Sequence, residues 1–333
     1  MRPLTAVEQQ WLFTKAQLDS TPSREAGIPL ADELKCRKVV IDYIESLALR
    51  AGLGQEDPEN SRARGVMTTA AMLVHRFYMR RSVGDFKPKL MAPTLLFLAS
   101  KIEEEALKLR HIVNACLAKW DPTAVPWLPD PDNKDNYPAQ SREYQAWERD
   151  VLTAEELALD ALCFDMSIED PRTIVQQSLT GLPPAGDLTE QKTGATAYIV
   201  LYRSLFSPLC VLYHARVIAF GTVALVIALL DNVTLAQGLS AAAELGERFD
   251  LAVEYSEEGM IGEDAHLVQA FCQDFLEYCR MGLIDRALVD FVDTGTDSLV
   301  FPRRFALAHQ NGRSDGQDGK PNGHAVENQG PPA

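Results

Sequence analysis

The sequence predicts an all-α protein made of two successive helical bundles, each of about five helices around one buried central helix. Three observations carry this expectation. The apolar residues recur with a helical period almost throughout, and alternating strand patterns are absent. Two stretches, one beginning at Pro93 and one from Val217 to Leu230, are nearly all apolar and of helix length, as the centre of a bundle requires. The chain has 333 residues, of which 46% are hydrophobic, enough for two domains with cores of their own.

Taken in order, a leading segment carries Trp11, Leu12, Phe13 and Leu18, then Thr21-Pro22-Ser23. A Thr cap followed by Pro at the first helical position starts a short helical turn. A long helix is expected over 34–49, with Val40, Ile44 and Leu47 inward and Gly52 and Gly54 ending it. The next covers about 64–79, with Ala70, Leu73, Val74 and Phe77 inward. The third starts at Pro93 and reads PTLLFLASKIEEE, apolar for two turns and then abruptly charged, so it is buried along most of its length and surfaces at its end. A fourth covers about 107–118. Residues 120–140 hold Pro122, Pro126, Pro129, Pro131 and Pro138 among Asp and Asn, which predicts a long loop whose start Trp120 and Trp127 pin to the body. A fifth helix over 143–162 completes the first set.

A second helical set follows Asp170-Pro171, with helices expected at 172–179, 193–205, 215–230, 239–249 and 266–281. Its third member is again the wholly apolar one, a repeat of architecture rather than of sequence. From about Asn311 the composition turns to Gly, Asn, Gln, Asp and Pro, which predicts a disordered tail.

Composition removes several function classes. A formal charge of −15 leaves no basic face for nucleic-acid phosphates, so direct nucleic-acid binding is not expected. The N-terminus lacks the apolar core of a signal peptide, and the 217–230 stretch is too short to span a membrane. Six cysteines sit in helical patterns without a CxxC pair, which predicts neither a zinc site nor a disulfide framework; Cys272 and Cys279, two turns apart, are read as packing, and the compartment as reducing.

Catalytic signatures are missing too. There is no glycine-rich loop, HRD or DFG of a kinase, and no HExxH, GxSxG or Walker sequence. Asp293-Thr294-Gly295 is half of an aspartic-protease site without its partner, and reads as a turn. No enzymatic activity and no cofactor or metal are expected. His75 is read as packed between helices, Thr21-Pro22 as a helix start rather than a phosphorylation site, and the Asn232-Val233-Thr234 sequon as idle without secretion.

Several stretches resemble the cyclin family, in particular the transcriptional cyclins of the T and K kinds. WLFTKAQLDSTPSREAG (11–27) resembles their opening. HRFYM (75–79), followed by Ser82 and Asp85-Phe86, is similar to their second cyclin-box helix. LFLASKIEE (96–104) and EELALDALCFDM (155–166) resemble the third and fifth. The resemblance spans residues 11–170 and is specific for a first cyclin box; the second half matches mainly in helix order and in 212–226. It implies tandem cyclin boxes: an N-terminal docking segment over 1–33, a first box over 34–168 with the Pro-rich insert 120–140, a divergent second box over 169–300 and a mostly disordered tail over 301–333.

The resemblance also implies a partner, a cyclin-dependent kinase bound as a heterodimer through its αC helix. The family's central contact pair falls on Lys101 and Glu155, with Leu98, Ile102, Phe164 and Met166 at its apolar contact positions and Trp11 and Phe13 in the aromatic opening. A Lys at the end of a buried helix has a packed stem and a presented ammonium, and a carboxylate beside it can orient it. Ile102, flanked by charges, is expected to be exposed. A surface ion pair without function is the competing reading of Lys101 and Glu155.

The implied role is a nuclear, non-catalytic activator of a kinase acting on the RNA polymerase II C-terminal repeats, itself only indirectly associated with the polymerase. A cyclin T-like, a cyclin K-like and a fungal tail-kinase subunit all fit. Rival readings are a cyclin C-like Mediator subunit, a basal factor of the TFIIB kind, against which an isoelectric point near 4.9 argues, and a helical scaffold without kinase binding.

Overall fold

The computed structural model describes residues 4, 6–54, 61–105, 107–134, 136–181, 190–231, 233–257 and 259–284. The helices are α1 (Ala6–Gln9), α2 (Lys15–Leu18), α3 (Pro22–Glu25), α4 (Leu30–Arg50), α5 (Ser61–Tyr78), α6 (Pro88–Ile102), α7 (Leu109–Trp120), α8 (Arg142–Ala161), α9 (Pro171–Leu179), α10 (Glu190–Ser204), α11 (Leu209–Leu212), α12 (Ala215–Asp231), α13 (Leu235–Ala243) and α14 (Ala265–Arg280). A 3₁₀ turn at Gly246–Phe249 and a hairpin of β1 (Glu254–Ser256) and β2 (Gly259–Ile261) lie between α13 and α14. The Asp293-Thr294-Gly295 turn, the expected tail, the last part of the second box and Asn232 of the sequon lie outside the described residues.

The fold is all-α, as the period predicted. α6 is enclosed by α4, α5, α7 and α8, and α12 by α9, α10, α13 and α14. Among the described residues, no helix is long and apolar enough to cross a membrane. No group of three or more His, Cys, Asp or Glu side chains gathers there as a metal-ligand set.

Local chemistry sets the boundaries. Thr21 caps α3, accepting from the Arg24 N–H at 3.4 Å, with Pro22 in the first turn; the Thr21 hydroxyl is buried and donates to Glu33 at 2.7 Å, so it is closed to modification in this conformation. α6 begins five residues before the expected Pro93. Pro88 is its true opening proline, and Pro93 sits inside, where its missing N–H costs only the bond to the Lys89 carbonyl.

The helix expected over 239–249 was misplaced. Thr234 and Gln237 form a capping box that starts α13 at Leu235, and the helix stops at Ala243 before the 3₁₀ turn. The hairpin is a small addition to the all-α fold: its segments are three residues each, too short to show alternation, and Gly259 and Gly262, with φ of +121° and +116°, shape its turn and its exit. α11 is four residues long, below what a period can reveal.

Burial pushes the Cys116, Cys210 and Cys272 thiols well above the ordinary range, consistent with packed, unreactive groups.

Candidate functional site

The site forms where α6 surfaces beside the second half of α8. α6 is buried from Met91 to Ser100, so its final residues emerge as a fixed end. α8 buries Tyr144, Trp147, Val151, Ala154, Ala158 and Ala161 on one stripe, and Glu155 sits on the border of that stripe. The two helices pack together and bring Lys101 to Glu155 across 54 residues of sequence.

The ammonium of Lys101 donates to both carboxylate oxygens of Glu155, at 2.7 and 2.9 Å, and lies 3.9 Å from the ring centroid of Phe97. The Lys101 side chain is 46% exposed, whereas that of Glu155 is 11% exposed. The carboxylate is thus a buried anchor and the ammonium a presented group. With three N–H donors, Lys101 retains capacity beyond the two oxygens of Glu155.

Phe164 lies two residues past the α8 cap. Cys163 and Phe164 both adopt left-handed backbone, φ +55° and +54°, a conformation that costs a non-glycine residue about 1–2 kcal/mol. The strained turn holds the Phe164 ring 69% exposed. Leu152 and Leu157 of α8 are also exposed, adding apolar area to the same helix. An exposed bulky side chain on strained backbone is the pattern of a recognition element rather than of a core.

The turn is held from behind. Asp165 accepts from the Trp11 indole at 2.7 Å, from the Ser167 N–H at 2.9 Å and from Gln10. Partial burial pushes the Asp165 carboxyl up, but these bonds and the Arg76 charge outweigh it and hold it below its usual value. Trp11 is itself buried, with the Arg76 and Arg80 guanidinium groups each 5.1 Å from its ring.

The expected site residues therefore divide. Lys101 and Glu155 come together at the surface, and Phe164 stands exposed past the end of α8. Ile102 is half-buried and packs on the core rather than standing exposed; the run of glutamates after it suggested exposure, but the α6 terminus turns it inward. Leu98 is buried in the core, so it shapes the site from beneath. Trp11 positions the Phe164 turn through Asp165. Phe13 is half-buried and donates its backbone N–H to the Val211 carbonyl at 2.7 Å, tying the leading segment to the second bundle. Met166 is half-buried and lines, with Trp11, Met72, Arg76, Tyr213 and Ile218, a cavity of about 580 Å³ between the bundles. Sequence reasoning missed Asp165 and Phe97. An acid inside CFDM was the available signal for the first, whereas a ring one turn before Lys101 looked like ordinary core.

A buried helix ending in a presented Lys clamped by a Glu from a second helix, with an exposed aromatic past the end of that second helix, is the arrangement of a docking surface for another protein. Residues 11–167 match the model of the cyclin N-terminal domain family, whose members are non-catalytic regulatory subunits of kinases. Among curated relatives, the chain is 32% identical to human Cyclin-T2 over 215 residues, which cover 63% of this chain and 26% of that protein. It is 34% identical to Cyclin pch1 of Schizosaccharomyces pombe over 210 residues, 63% of this chain and 55% of that one. The chain thus spans from about a quarter to about half the length of these relatives.

Two solved structures share the fold at 15% identity. One is a chain of the yeast RNA Pol II CTD kinase CTDK-1 complex, with a TM-score of 0.56 over 96% of this chain and 86% of that one. The other is a chain of the yeast TFIIK (Kin28/Ccl1/Tfb3) complex, with a TM-score of 0.52 over 82% of this chain and 97% of that one.

Proposed function

We propose that this chain is the regulatory subunit of a cyclin-dependent kinase that phosphorylates the C-terminal repeats of RNA polymerase II, and that it acts in the nucleus. One observation carries the reading: Lys101 held by both oxygens of Glu155 at the emerging end of α6. The likeness to Cyclin-T2 and pch1 and the fold shared with a CTD-kinase complex support the choice of kinase class. Residues 34–168 and 169–300 are read as the two cyclin boxes, the first carrying the kinase contact and the second bracing it.

A kinase works when the Lys of its third strand pairs with the Glu of its αC helix. A protein that binds αC only in its inward position shifts the kinase population toward that state. Moving the equilibrium from 1:99 to 99:1 takes about 5.5 kcal/mol of differential binding. An apolar ring anchor with a few charge-assisted bonds to αC backbone carbonyls, over an interface of ordinary size, supplies that order of energy. No atom of this chain enters phosphoryl transfer.

The test is a tagged pull-down from the native cell comparing wild type with the Lys101→Glu, Glu155→Lys double variant. The exchange keeps a pair within the chain but reverses the charge offered to a partner. A protein kinase recovered with wild type and lost with the variant is the expected result. Equal recovery would move the contact elsewhere on the molecule, and no kinase in either would return the scaffold reading.

A further inference from the structure

The connection between α7 and α8 is far longer than the two to eight residues that join helices in a bundle, yet it is firmly held. Asn114 of α7 clamps the backbone of Trp127: the Trp127 N–H donates to Asn114 Oδ1 and Asn114 Nδ2 donates to the Trp127 carbonyl, both at 2.9 Å. The Trp127 indole donates to the Pro138 carbonyl at 2.9 Å, and its ring packs on Tyr137 and Tyr144. At the base, the Trp147 indole donates to Asp121 at 2.8 Å, and the Ser141 hydroxyl to the Val125 carbonyl at 3.3 Å.

This fixed segment displays apolar side chains. Val125 and Leu128, on either side of Trp127, are 67% and 53% exposed. Five acids stand in residues 121–143, namely Asp121, Asp130, Asp132, Asp135 and Glu143, against only Lys134 and Arg142. Its complement is a short stretch combining apolar residues and paired cations without acids. Residues 299–307 of the same chain, LVFPRRFAL, have that composition; they lie outside the described residues.

We propose that the insert is an intramolecular docking site for residues 299–307, with Arg303 and Arg304 meeting Asp130 and Asp132 and the flanking apolar residues covering Val125 and Leu128. Reach is ample. The described chain runs to Ile284 after α14. The fourteen residues from 285 to 298 span up to about 48 Å when extended. Tethering then gives an effective concentration on the order of millimolar, so a weak contact suffices. Arg142 and Glu155 are thirteen residues apart on α8, about 20 Å, so this site stands clear of the Lys101–Glu155 pair and does not depend on kinase binding.

The experiment places a photo-crosslinking amino acid, p-benzoylphenylalanine, at position 128 of the full chain and maps the links by mass spectrometry. The expected result is a link within one chain to residues 299–307. Its yield should fall about tenfold with Arg303→Glu, Arg304→Glu, and fall strongly in 0.5 M salt, where the Debye length is only a few ångströms. Leu128 is exposed in the insert, and unchanged circular dichroism is expected for every variant. Links to other parts of the chain, links between two copies, links only to a co-purified kinase, or a yield indifferent to the arginine reversal would each overturn the proposal.

Discussion

The two central helices share a role in architecture and differ in how they end. α12 is buried without interruption from Ala215 to Leu229, and glycines let its neighbours close in. A Cβ on Gly221 would come within 2.3 Å of the Phe271 ring, and one on Gly238 of α13 within 2.6 Å of the Ala224 carbonyl. α6 is buried only to Ser100 and then delivers Lys101 to the surface. The contrast teaches that one packing scheme serves two purposes. A helix sealed along its length braces the molecule, whereas a helix that emerges at one end turns core rigidity into a fixed surface group. A Lys at the end of a frayed helix would lose much of its binding energy to ordering.

The first bundle also carries charge in its interior. Glu33 and Arg37 of α4 are both fully buried and paired. Arg37 further donates to the Tyr78 carbonyl at 3.1 Å, and Glu33 accepts from Thr21. This network fastens α3, α4 and the end of α5. Arg37→Met should leave the Glu33 carboxylate uncompensated in the interior and cost about 3–5 kcal/mol of folding stability, the largest effect foreseen, read by urea denaturation. A loss below about 1 kcal/mol would mean the buried pair is not what organises the first bundle.

His75 sharpens the comparison at the seam between bundles. It is fully buried on α5, with Nε2 2.8 Å from the Leu205 carbonyl. Burial first, and the Arg37 charge second, push its pKa down to about 3. The neutral ring is therefore the folded form, while an unfolded chain takes up a proton near pH 6.5. This contribution is complete above pH 6.5 and is lost as pH falls from there toward 3, at up to about 1.4 kcal/mol per unit. His75→Gln keeps an N–H donor without a titrating group. Between pH 6.5 and 5 the wild type should lose about 2 kcal/mol more than this variant, measured by denaturant midpoints. Parallel pH profiles would show that the seam tolerates a charged ring.

Much of this was legible in the sequence, for reasons particular to each element. α4, α5, α8 and α12 follow from apolar stripes long enough to set a period, and α3 from Thr21-Pro22 alone. The Lys101–Glu155 pair came from resemblance, because nothing in local spacing joins residues from two helices. The start of α6 was hidden by two prolines that could each open a helix, and only packing selected Pro88. α13 was hidden because an Ala-rich run lets the apolar stripe be drawn in more than one register. The outward turn of Phe164 was unreadable: a left-handed backbone at Cys-Phe has no composition signal, and the Trp11–Asp165 bond that holds it spans 154 residues.

The smallest expected effect is the most discriminating. Lys101 is nearly half exposed, and a pair of that kind contributes only about 0–1 kcal/mol to stability once solvent screening is counted. Lys101→Met keeps the packed stem and removes the charge, leaving Glu155 with 11% side-chain exposure and water within reach. Its denaturation midpoint should therefore stay within about 1 kcal/mol of wild type. Kinase affinity should nonetheless fall by roughly 2–5 kcal/mol, because the interface would bury the Glu155 carboxylate without its counter-ion. A side chain that costs binding far more than folding is held in place by the core but selected for its partner. If stability and affinity fell together, α6 would be a bracing helix like α12, and the difference between the two bundles would lose its functional meaning.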